Sequence, residues 1–114
     1  MAELKRHTIT LVKEVKEGEL VTETYVTPVF IPMKAVYEAI DLAAEMRKEK
    51  DQRKLIDKMM TFVADKVYNK QFPKEALISG LHGPDAVRIL EDQILFVSRG
   101  FQNEESKKYL EKKN

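Results

Sequence analysis

The sequence predicts a small, mainly α-helical domain in which an N-terminal β-hairpin rests on three to four helices, with α+β as the neighbouring class. Three observations carry that expectation. Residues 6–30 are rich in β-branched and aromatic side chains, interrupted by a charged stretch that holds Gly18. After Pro32 the apolar period changes from that of a strand to that of a helix. Two later segments, 52–69 and 84–101, carry apolar residues three and four apart.

Taken in order, "HTITLV" and "LVTETYVTPVF" read as two strand arms, and "KEVKEGEL" between them reads as a turn at Gly18. Two strands alone are marginal in water, so the hairpin needs a helical layer beneath it or a partner to order it. Pro28 and Pro32 bracket "VFI" and end the extended region, because each holds its preceding residue out of the helical basin. Pro32 suits a helix start. Val36, Ile40 and Ala43 then recur at helical spacing, flanked by Met33, Ala39 and Met46. The polar run "RKEKDQRK" (47–54) holds either a helix end and turn or a continuous helix, since it contains no Gly or Pro.

The next helix, 52–69, has a broad apolar face. Ile56, Met59, Met60, Val63 and Val67 form one stripe, and Leu55, Phe62 and Ala64 widen it, so this should be the central helix. "VYNKQFPKEALISGLHG" (67–83) follows as a corner. Tyr68 ends the helix, Asn69 takes left-handed or turn geometry, and Gln71 satisfies freed backbone groups. Phe72 re-enters the core, Pro73 starts a short helix with Glu75 in its first turn, and Gly80 and Gly83 turn the chain. The last helix shows Val87, Leu90, Ile94, Val97 and Phe101 at intervals of three and four, with Gly100 as its stop. The expected organisation is one domain over 1–103, with hairpin 6–30 and helices 32–100, and a polar, flexible tail over 104–114.

Composition narrows the function. The 114 residues carry a net charge of only +1, without the basic excess of a dedicated nucleic-acid domain, and there is no Cys for a disulfide or thiolate metal site. No run approaches the ~18 apolar residues of a membrane span, and "MAELKRHTIT" lacks the apolar core of a signal peptide. The expectation is a soluble protein acting in the cell that makes it. His7 and His82 have no Ser, Cys or paired acid at a recognisable spacing and read as structural. Asp85, Glu91 and Asp92 form an acidic edge on the last helix, explained by capping and solvation. The four glycines are too scattered for a phosphate loop. No catalytic, cofactor or metal site is expected. Residues 74–100 superficially read as helix, turn, helix, but Asp85, Glu91 and Asp92 around the single early base Arg88 would repel a phosphate backbone.

The order of elements resembles the tail assembly chaperones of long-tailed (siphovirus-type) phages and prophages of Gram-positive bacteria, functional relatives of the lambda G protein. The resemblance covers about residues 8–100. Tyr25, Pro28, Phe30 and Pro32 match its extended aromatic-x-x-Pro entry into the first helix. Tyr68, Asn69, Gln71, Phe72, Gly80 and Leu81 match its corner, although Lys70 separates Asn69 from Gln71 and Pro73 replaces the usual Thr or Ser cap. The resemblance implies a non-catalytic protein that binds the tape measure protein and helps recruit the major tail (tube) protein. It also implies residence in the bacterial cytoplasm, absence from the mature virion, and a longer form made by ribosomal frameshifting near "EKKN". Self-association fits the same role; neither nucleic acid nor membrane is an expected partner. The expected client face comprises Tyr25, Phe30, Met33, Val36, Tyr37 and Ile40, with Phe30 and Val36 as anchors. The alternatives are a structural head–tail or tail component of the virion and a small helix-turn-helix regulator.

Overall fold

A computed structural model describes residues 4–113. Residues 1–3 of the expected domain and Asn114 of the expected tail lie outside the described residues. The hairpin consists of β1 (Thr8–Lys16) and β2 (Glu19–Val26), antiparallel, with Ile9 opposite Tyr25 and Lys16 opposite Glu19. Glu17 and Gly18 both have positive φ (51° and 81°), the two-residue turn whose twist matches that of the strands. An irregularity between Val12 and Glu14 shifts the register. Before it, Ile9 and Leu11 are buried; beyond it the hairpin tip is exposed.

Five α-helices follow among the described residues: α1 (Met33–Lys48), α2 (Gln52–Phe62), α3 (Lys74–Gly80), α4 (Gly83–Arg99) and α5 (Glu104–Lys113). The expectation of three to four helices thus gains a C-terminal member. Pro32 and Pro73 stand just before α1 and α3, in extended backbone, so each precedes its helix by one residue. The polar run 47–54 resolves into a break, because Asp51 accepts a hydrogen bond from the Lys54 backbone N–H (3.2 Å) and starts α2 afresh.

The central helix carries the core. Leu55, Met59 and Phe62 of α2 are buried, and the helix continues into a wide π-turn over Val63–Val67. There the Tyr68 N–H donates to the Val63 carbonyl at 3.0 Å, and the Lys70 N–H to Ala64 at 2.8 Å. Phe62, Val63, Ala64, Val67 and Tyr68 all point inward, so neighbours cover the segment on several sides. Asn69 and Lys70 leave it with left-handed backbone (φ 51° and 63°), Gln71 donates to the Val26 carbonyl at 2.8 Å, and Phe72 is buried against Tyr25 and Tyr68. α1 packs on α4 and α2, while α3 and α5 pack on β1. Gly80 has a different role from the turn expected of it. It ends α3 so close to β1 that a Cβ would stand 2.9 Å from the Val12 carbonyl oxygen and 3.1 Å from Leu11 Cβ.

Polar groups tie the hairpin to the helices. Gln93, buried among Leu90, Ile94 and Val97 of α4, donates from Nε2 to the Thr8 carbonyl (3.1 Å). Its Oε1 accepts from the Tyr68 hydroxyl and from His7 Nδ1–H (3.2 Å). His7 Nε2 is left to accept from the Asn103 backbone N–H (3.3 Å), and the ring stacks on Phe96 at 4.9 Å. The segment expected to be a flexible tail is a helix here. Ser106 Oγ accepts from the Thr8 N–H at 3.1 Å, and the Asn103 side chain caps the Ser106 N–H at 2.8 Å. Polar contacts to β1, which an apolar pattern does not reveal, hold it in place.

His7 therefore needs to be neutral. Burial pushes its pKa below the ordinary 6.5, against smaller opposing contributions from the Gln93 hydrogen bond and the Asp92 charge. Protonation would also put a second N–H opposite the Asn103 N–H, which then loses its acceptor. Below pH 6.5 the unfolded chain takes up the proton more readily than the folded one. Urea melts should show this contribution fully present above that pH and lost as pH falls through it, by at most about 1.4 kcal/mol per pH unit for one proton. Stability that rises on mild acidification would contradict the arrangement.

Candidate functional interface

The candidate surface is built by residues 25–40. Tyr25 leaves β2 half-buried against Phe72, with ring centroids 4.7 Å apart. Thr27 is fully buried, its N–H donating to the His7 carbonyl and its hydroxyl accepting from the His7 N–H. Those two bonds anchor the chain where it leaves the sheet. Pro28 and Pro32 then restrict the backbone of the connection, which bends at Val29 and is extended at Pro32. Ile31 packs against the core, whereas Val29 and Phe30 face outward.

α1 divides its residues between two faces. Ala35, Ala39 and Leu42 are buried, with Val36 and Met46 packed beside them. Met33, Tyr37 and Ile40, spaced four and three apart, form a ridge on the outside. Phe30 is 68% exposed, Tyr37 63%, Met33 60% and Ile40 52%, values far from those of core residues. Exposed apolar side chains grouped in this way on one helix face are the kind of feature that marks protein contact surfaces in general. Phe30 also walls an open groove of about 480 Å3 between the start of α1 and the end of the π-turn, with Lys34, Glu38 and Lys66 among its lining.

Four of the six residues expected at the client face, Phe30, Met33, Tyr37 and Ile40, are thus together and exposed. Tyr25 and Val36 are not: both are half-buried and pack on the core. The broad apolar face of the central helix is spent inside the fold. A second exposed apolar group lies at the hairpin tip, where Val15 pairs with Leu20 beside Val21.

The other candidates lie away from this surface. His82 precedes α4 in extended backbone and His7 belongs to the buried network. Arg88 lies 3.8 Å from Asp85 and 3.6 Å from Asp92, so the one early base of α4 stands between two acids. Leu90, Ile94, Phe96 and Val97 bury much of the same helix in the fold. Among the described residues no group of three or more His, Asp or Glu is placed to hold a metal ion, and no helix is long and apolar enough to cross a membrane.

A family model described as phage tail chaperone protein matches residues 5–114. Comparison with curated proteins and with solved structures gives no match.

Proposed function

The chain belongs to the phage tail chaperone family, and from that premise we propose that it binds the tape measure protein during tail morphogenesis and helps recruit tail tube protein around it. The observation that carries this reading is the exposed ridge of Phe30, Met33, Tyr37 and Ile40. A client that is long and helical offers no compact ligand for a pocket; it is held by laying one apolar stripe against another. The action is binding, without chemistry, and self-association lets several copies line one client. The same reading places the protein in the cytoplasm of a Gram-positive host of a siphovirus-type phage, as a relative in function of the lambda G protein. It includes a longer frameshifted form.

Co-expression tests it. Tape measure protein made with this chain should stay in the soluble fraction and co-purify with it, and tape measure protein made alone should sediment. Purified phage particles should lack the chain by mass spectrometry. Its presence in particles at stoichiometric amounts would favour a structural tail component instead.

A further inference from the structure

Beside the apolar ridge, α1 and α2 enclose a groove of about 410 Å3. Its floor is apolar: Leu42 and Phe62 contribute there, both nearly fully buried. Its walls are acidic, with Glu38, Asp41 and Glu45 from α1 and Asp57 and Asp65 from the facing helix. Lys58 and Lys66 also line it, but each is engaged, at 3.1 Å from Glu45 and 3.9 Å from Glu38. Asp57 is met at 2.7 Å by Lys74 from α3. Asp41 and Asp65 have no ion pair among the described residues. A chain whose total charge is +1 therefore collects negative charge along one apolar-floored channel.

We propose that this groove and the Met33–Tyr37–Ile40 ridge together seat one amphipathic helix of the client, apolar on its buried face and bearing Lys or Arg along the edge that meets Asp41 and Asp65. The inference rests on the chaperone reading and deepens it by naming the chemistry of the bound segment. Asp41 lies about 100° round α1 from Ile40, so the acidic rail occupies the face of α1 next to the ridge, on the side of the groove. The apolar floor of the groove accepts apolar atoms, and the free carboxylates favour cations at the flank. In a half-dry groove such charges select partners more strongly than they would in open water. A 16-residue α1 is about 24 Å long, which matches a client helix of about four turns. An acidic-flanked helix of the same apolar pattern is turned away by the same charges.

The test uses two synthetic amphipathic peptides with one shared leucine stripe, flanked by Lys in one and by Glu in the other. Each is titrated into the full chain by fluorescence anisotropy. The Lys peptide should bind at least about tenfold tighter at low salt, with the gap narrowing as salt screens it. Asp41→Asn with Asp65→Asn should erase the gap while leaving the thermal melt unchanged; Asp41→Asn alone serves if the double variant melts early. Equal binding of the two peptides, binding of neither, or a gap that survives the substitutions overturns the inference. Its failure is separable from that of the chaperone reading. If peptide preference is absent but tape measure protein still co-purifies, only the charge selection falls. If the preference is present and tape measure protein does not bind, the groove stands without its assigned client.

Discussion

Replacing Gln93 by Leu is expected to destabilise the fold by about 3–5 kcal/mol, because three buried polar groups lose their partner at once. Those groups are the Tyr68 hydroxyl, His7 Nδ1–H and the Thr8 carbonyl, all of which meet the Gln93 amide. Leu fills nearly the same volume, so the loss is one of hydrogen bonding and not of packing. Domains of this size are stable by roughly 5–15 kcal/mol, which makes the change a large fraction of the whole. Thermal melts should show a fall of roughly 10–20 °C. Adding Tyr68→Phe to Gln93→Leu should recover part of it, since removing both ends of a buried bond costs less than removing one. A loss below about 1 kcal/mol would show that the network does not bind the hairpin to the helices.

That network also marks where the sequence stopped being readable. Regular elements were legible because each follows from a local rule. Gly18 allows a tight hairpin turn, Pro32 precedes a helix, and Leu90, Ile94 and Val97 repeat at helical spacing. Gln93 sits on the same inward face as Leu90 and Val97, and that placement was the one available sign of a buried polar hub. Its partners are far away in the chain, at His7, Thr8 and Tyr68, so no spacing announces them. The same holds for α5. Its composition reads as a solvated tail, and its docking depends on Ser106 meeting Thr8 across the fold. Gly80 was read as a turn because glycines commonly turn the chain; the close approach of β1 that excludes a Cβ is a tertiary fact.

Legibility of the candidate interface divides along the same line. The apolar residues of 25–40 were visible, but a helix of mixed apolar positions does not reveal which ones the core takes. Tertiary packing claims Val36 and leaves Tyr37, its neighbour in sequence, outside. The acid rail was available as Glu38, Asp41 and Glu45, three and four apart on α1. Its meaning required α2 and the π-turn to lie opposite with Asp57 and Asp65, which only the fold supplies.

Changing Phe30 and Tyr37 together to Ser is expected to abolish co-purification with the tape measure protein while the chain stays folded. Both side chains are more than half exposed, so the substitutions remove little that the fold depends on, and stability should stay within about 0.5 kcal/mol of the parent. Exposed aromatics that become buried on binding carry disproportionate energy, about 2 kcal/mol each where they act as anchors. Losing two such anchors weakens binding on the order of a thousandfold. Val36→Ser is a poorer probe, because Val36 packs against the core and its loss confounds binding with stability. The comparison therefore separates two models of the surface. If the Phe30/Tyr37 variant binds as the parent does, the ridge of α1 is not the client face. The exposed hairpin tip around Val15 and Leu20 then becomes the surface to alter next. If binding is lost with an unchanged melt, the outward stripe of α1 carries it, and Met33→Ser and Ile40→Ser should each give a partial loss in the same assay.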